Sequence, residues 1–348
     1  MDIEKAKADI KSLDYEELAL LVKELGQPAF RSRQLYEWMH VKRVERLEDM
    51  TNIPKAIKEA LGEESLTTLV PLKVLVSGID GTRKYLYKLE DGNVIESVFM
   101  RYKHGNSVCI SSQVGCRMGC RFCASTLDGL TRNLRPSEML EQIYAIERET
   151  GEKISNVVVM GCGEPLDNYD NLIKFIRLLT DEHGMNMSQR NLTVSTCGLV
   201  PRIKQLARLK LQMTLAISLH ASSDEKRREL MPIANTFTIA EVLDACKYYF
   251  DETGRRISFE YSVVAGVNDT GEDALRLAGL LKNLNCHVNL IPVNPIEERD
   301  FKQPAAAAID TFKKKLEKNG INVTIRREMG RDINGACGQL RKSYIRNE

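Results

Sequence analysis

The spacing of apolar residues along the chain changes character twice. In the first stretch it is helical. DYEELALLVKELG carries apolar residues at helical spacing and stops at Gly26, and FRSRQLYEWMHVKRV and PKAIKEALG repeat the pattern. Residues 1–67 are therefore expected to form a small helical accessory domain. Between 68 and 100 the period shortens. VPLKVLVSGIDGTRKYLYKLEDGNVIESVFM alternates β-prone stretches with Asp80-Gly81 and Asp91-Gly92, which predicts a short β-hairpin extension.

Beyond residue 101 strands and helices take turns. Short β-rich runs at Val108–Ser111, Val157–Met160, Leu192–Ser195, Met213–Ser218, Ile257–Val264 and Val288–Pro292 are separated by amphipathic helical stretches, and AAAAIDTFKKKLEKNG follows the last. Six such units with right-handed crossovers imply an α/β fold, a parallel sheet or partial (β/α)6 barrel over 101–335, with a tail at 336–348. Chemistry in such barrels sits at the C-terminal ends of the strands.

The 348 residues are enough for one large and one small domain, and 43% hydrophobic with 28% charged residues is an ordinary globular balance. No run approaches the ~20 apolar residues that span a bilayer. The opening MDIEKAKADIKSLD is charged, without an apolar signal core, so a cytoplasmic protein without membrane contact is expected. Nine cysteines cannot all pair, and suit thiols that are reduced, metal-bound or catalytic. Net charge is only +2, so a nucleic-acid partner would need a local basic patch. Lys313–Glu348 supplies one, with ten Lys/Arg against four Asp/Glu, although a solvated helix face with a charged tail would look the same.

Candidate chemistry begins at Cys116, Cys120 and Cys123, a C-x3-C-x2-C loop just after the first barrel strand. Three thiolates from one loop can hold three irons of a 4Fe–4S cluster and leave the fourth open to a small chelator. A zinc site or buried free thiols is the alternative, but zinc lacks a fourth ligand at the usual spacing. Gly161-Cys-Gly-Glu-Pro165 follows the second strand, where its glycines permit close backbone approach. Alone it could be merely a turn.

The C-x3-C-x2-C spacing with Phe122 before the third cysteine resembles the signature of the radical S-adenosylmethionine (SAM) superfamily. The resemblance implies a cluster on Cys116, Cys120 and Cys123 with SAM chelated at the open iron and Phe122 packed nearby. It further implies a SAM pocket lined by Gly163, Glu164, Ser195, Ser218, Leu219, His220 and Asn294. Taken without it, each of these could be a polar strand end satisfied by backbone, and His220 could be purely structural.

GRDINGACGQLRKS around Cys337, CISSQVGC around Cys109, and FRSRQLYEWM in the helical segment resemble one group more closely. These are the RNA adenine methyl synthases, which act at C2 of adenine in 23S rRNA and tRNA or, in the antibiotic-resistance branch, at C8. The likeness spans nearly the whole chain, and GCGEPLDN, HVNLIPVNP and INVTIRRE are more similar to the C2 branch. It implies that Cys337 is methylated by one SAM and that a second SAM gives the 5′-deoxyadenosyl radical. Glu96 then takes the C2 proton, and Cys109 releases product through a transient disulfide. By itself Cys337 reads as a small buried hydrophobe and Glu96 as a strand carboxylate. Cys162, Cys197, Cys246 and Cys286 are assigned no role.

The expected partners are 23S rRNA, tRNA and a flavodoxin- or ferredoxin-type reductant, with the enzyme a monomer. Such an adenosine is expected in a loop and flipped into the barrel mouth. The helical segment and Arg326, Arg327, Arg331, Arg341 and Lys342 are candidate phosphate contacts. Two readings compete: another radical SAM reaction such as peptide modification, and a non-catalytic iron–sulfur RNA-binding protein or redox sensor.

Overall fold

A computed structural model describes residues 8–340. Arg341 and Lys342 therefore lie outside the described residues. Four strands open the sheet as an antiparallel meander: β1 (Pro71–Val76), β2 (Arg83–Lys88), β3 (Val94–Tyr102) and β4 (Gly105–Ile110). A small two-stranded sheet, β5 (Gln113–Gly115) with β6 (Leu130–Asn133), brackets the cysteine loop. The main sheet then continues in parallel from β4 through β7 (Ile154–Val159), β8 (Leu192–Thr196), β9 (Thr214–Ser218), β10 (Ile257–Val263), β11 (Cys286–Pro292) and β12 (Val323–Ile325).

The expected α/β architecture is present, in a mixed ten-stranded sheet. Two features differ from the sequence reading. The segment expected as a hairpin extension supplies β1–β3, which are hydrogen-bonded into the barrel sheet through β4. The parallel part also has a seventh strand, β12, which pairs with β11. Only Val323 of its three residues is buried, so it carries almost no apolar signal.

Helices between the strands cover the sheet. The helix Tyr169–Thr180 buries Leu172, Ile173, Phe175, Ile176 and Leu179 along one side. The helix Ile239–Thr253 begins at a capping box. The Thr238 hydroxyl accepts from the Glu241 amide, and the Glu241 carboxylate accepts from the Thr238 amide.

The N-terminal helices share one apolar core with the barrel. Lys11 crosses between them. Its buried ammonium donates to Thr67 O (2.6 Å) and Glu141 (2.5 Å), and Arg148 holds the other Glu141 oxygen at 2.8 Å. Paired this fully, the buried charges are compensated. Among the described residues no helix is long and apolar enough to cross a membrane.

Candidate active site

A cavity of about 1480 Å³, counted up to its open mouth, lies at the C-terminal ends of the strands. Cys116, Cys120 and Cys123 all line it. Among the described residues, no group of three His, Cys, Asp or Glu gathers closely enough to enclose a single metal ion. Three thiols from one loop, with no fourth ligand beside them among the described residues, suit one thiolate per iron of a cluster better than a zinc site. Burial pushes all three thiols above their ordinary range, so a bound cation is what would make them thiolates. The donor set therefore fits a 4Fe–4S cluster.

Gly163 and Glu164 form the next part of the wall. Gly163 has φ +108°, and a Cβ there would stand 2.6 Å from the Gln113 Cβ, so only glycine fits. Glu164 is almost sealed. Its oxygens accept from the Leu166 amide (3.0 Å) and the Cys197 amide (2.7 Å). Ser195, Ser218 and His220 also face the cavity, with the two serine hydroxyls 3.4 Å apart.

His220 adopts φ +57°, and its Nδ1 accepts from the Ser262 amide at 2.8 Å. Burial lowers its pKa to about 3, so the ring is neutral. Phe122 meets that ring edge-on, with centroids 4.7 Å apart. Leu219 is the exception in this group. It is fully buried and does not line the cavity, because its neighbours on either side take the cavity face.

The tail is docked over the cysteine loop. Gly338 O accepts from the Ala124 amide (2.8 Å), and Leu340 O from the Ser125 hydroxyl (2.8 Å). Asn294 Nδ2 donates to Cys337 O (2.9 Å), and Gln339 Nε2 to Pro295 O (3.2 Å). Asn294, expected in the SAM pocket, thus lines the cavity and also clasps the Cys337 backbone. Further back, Asp332 accepts from the Ser77 hydroxyl (2.6 Å) and the Gly78 amide (2.9 Å), and Asp80 accepts from the Gly330 amide (3.0 Å). The β1–β2 turn therefore holds the tail in place.

These bonds put Cys337 and Cys109 on the same cavity as the claw. Both are free thiols, Cys337 exposed and Cys109 buried on β4 opposite Val98. Burial, and then the neighbouring Cys337, push the Cys109 thiol up to about 12, while Arg326 pulls it down.

Arg326, read from sequence as a phosphate contact, turns into the cavity. Its guanidinium is 3.6 Å from the Met160 sulfur and 3.8 Å from Glu260, which is buried on β10. Glu260 gave no signal in the sequence, since one acidic residue in a strand fits many roles. Arg327 is exposed at the cavity edge, and Arg331 is exposed beside Glu328.

Glu96 does not line the cavity. Val98, Met100 and Tyr102 do, and Glu96 shares their strand face one step deeper. It is fully buried in an ion pair with Lys84 at 2.9 Å.

This sheet, three-cysteine loop and cavity define a radical SAM enzyme, and comparison with known proteins agrees. The radical SAM superfamily model matches residues 110–278, and that of the ribosomal RNA large subunit methyltransferase N-terminal domain matches 8–66. A protein of Lachnospira eligens named "Probable dual-specificity RNA methyltransferase RlmN" is 64% identical over 97% of both chains. One of the same name from Lachnoclostridium phytofermentans is 59% identical over 97% of this chain and 95% of its own. The crystal structure of a radical SAM methyltransferase from Sphaerobacter thermophilus superimposes with a TM-score of 0.92 at 42% identity, over 95% of this chain and 98% of that one. The chain belongs to the RlmN family of radical SAM RNA methyltransferases.

Proposed function

We propose that this protein methylates C2 of an adenosine in 23S rRNA and of an adenosine in tRNA. The observation that carries the reading is the presence of Cys109 and Cys337 on the cavity of the three-cysteine loop. An ordinary methyl transfer to a nucleophile needs neither. Adenine C2 lies between two ring nitrogens and is a poor nucleophile, so its methyl must be delivered by a carrier.

When bound on Cys116, Cys120 and Cys123, the cluster supplies the electron that cleaves SAM to methionine and a 5′-deoxyadenosyl radical, the hydrogen acceptor for an S-methyl group. Gly163, Glu164, Ser195, Ser218, His220 and Asn294 form the polar wall that orients SAM. Cys337 acts as the carrier. Its thiolate takes a methyl from one SAM, releasing S-adenosylhomocysteine, and that carbon then links its sulfur to C2.

Glu96, one step behind Val98 on the cavity-facing side of β3, accepts the C2 proton, and the single electron left on the adduct would return to the oxidised cluster held on Cys116, Cys120 and Cys123. Cys109 thiolate attacks the Cys337 sulfur and breaks its bond to the methylene carbon, which takes up a proton to become the methyl group of the freed base and leaves a Cys109–Cys337 disulfide. A flavodoxin- or ferredoxin-type system supplies electrons, and the enzyme works as a cytoplasmic monomer.

Nucleoside mass spectrometry tests this. Reconstituted enzyme, SAM, reductant and protein-free 23S rRNA should yield 2-methyladenosine. Finding 8-methyladenosine would keep the cysteine chemistry and move the target atom. Finding neither, with SAM cleaved, would reject the substrate.

A further inference from the structure

The β3–β4 turn stands at the edge of the cavity. Tyr102 is half-buried and lines it, while Lys103 and His104 are exposed. The His104 ring lies over that of Tyr102, with centroids 5.2 Å apart and planes 16° apart. An exposed ring backed in parallel by a second one offers an open π-face of the kind that bases stack on.

Two cations flank the pair. Lys103 is next to it in the turn, and the exposed Arg327 shares the cavity lining with Tyr102. Among the described residues no carboxylate pairs with either. Neighbouring Arg101 is different, because Glu152 holds its guanidinium. The rim thus combines an aromatic face with two available positive charges, joined through Tyr102 to the lining of the cavity. That combination suits single-stranded nucleic acid, whose unstacked bases and phosphates need both.

We propose that this turn is the RNA-docking rim, with His104 on Tyr102 stacking a base next to the target adenosine and Lys103 and Arg327 taking the flanking phosphates. The inference rests on the RNA-methylating reading of the cavity and adds where the RNA is gripped. Stacking of this kind is sequence-tolerant, because every base has a π-face. It would let one rim serve both an rRNA and a tRNA.

The test is RNA affinity of the reconstituted holoenzyme, with protein-free 23S rRNA as the probe. Loss of one stacked base corresponds to about 5- to 150-fold in affinity. His104→Ala should weaken binding within that range, and His104→Phe should restore it. Lys103→Ala and Arg327→Ala should each lower the slope of log affinity against log salt by about 0.7. Thermal midpoints should match wild type, since His104 and Lys103 are exposed.

Unchanged affinity in His104→Ala would overturn the proposal, and so would an equal loss in His104→Phe. If the variants bind RNA normally and slow turnover only with a protein electron donor, not with dithionite, the rim is a donor-docking surface and the proposal fails. Absence of methylated adenosine from the wild-type reaction would reject the catalytic reading instead, and the affinity comparison would still stand.

Discussion

Lys84 and Glu96 meet across the β2–β3 ladder with 2.9 Å between ammonium and carboxylate, and neither side chain reaches solvent. Lys84 also donates to Asn334 O at 3.2 Å, in the segment that leads to Cys337. One buried ammonium thus ties the proposed proton acceptor to the proposed methyl carrier.

Removing it should be costly. Breaking a buried pair by deleting one partner costs about 3–5 kcal/mol, because the other charge stays buried alone. Lys84→Met should lose stability on that scale in denaturant unfolding. The double variant Lys84→Met/Glu96→Leu should recover most of it. Equal instability of the two would show that packing, not charge, dominates at this site.

Glu96→Gln should stall the reaction after the carbon–carbon bond forms. A general base is worth about 10²–10⁴ in rate. Denaturing gels should then show RNA linked to protein, with little free product. Cys109→Ala should stall with the same kind of linkage, whereas Cys337→Ala should form none and still cleave SAM. Crosslinks in Cys337→Ala would remove Cys337 as the carrier.

The Cys109 thiol has a pH signature. Its folded pKa is raised, from 9.0 in a free thiol to about 12, chiefly by burial. The fold therefore favours the protonated form. Its contribution to stability is complete below pH 9 and is lost as pH rises from 9 toward 12, by about 1.4 kcal/mol per unit. The difference between wild-type and Cys109→Ala unfolding curves should show this alkaline loss. A difference that stays flat with pH would mean the thiol is not held protonated.

Gly338 holds φ +83°, and a Cβ there would sit 3.2 Å from Phe122 O. Gly338→Ala should strain the Cys337 turn by about 1–3 kcal/mol. Methylation should fall while the barrel keeps its unfolding midpoint, because the turn lies outside the main core. Methylation at the wild-type rate would show that the turn tolerates the change.

Much of this protein is legible in its residues. The alternation of short apolar strands with amphipathic helices fixes the α/β class, because each pattern can bury its apolar side in only one kind of element. The cysteine loop is equally plain, since three cysteines lie within eight residues and need no long-range contact to be recognised. Cys109 and Cys337 are legible only through family likeness, because no spacing rule links two thiols so far apart in the chain.

What tertiary structure alone decided is the company each side chain keeps. β1–β3 read as a separate hairpin, yet their edge hydrogen bonds join the barrel sheet, and such pairing leaves no mark on local periodicity. Arg326 read as one more charge in a basic tail, yet β12 aims it at Glu260 and Met160. Leu219 sits in the expected motif, but just past the end of β9 it turns into the core while Ser218 and His220 line the cavity. Lys84 and Glu96 lie twelve residues apart on neighbouring strands, and only the β2–β3 register makes them partners. The sequence determines which elements form because periodicity is local, whereas charge pairing and cavity lining depend on register and crossover, which are set when the whole sheet closes.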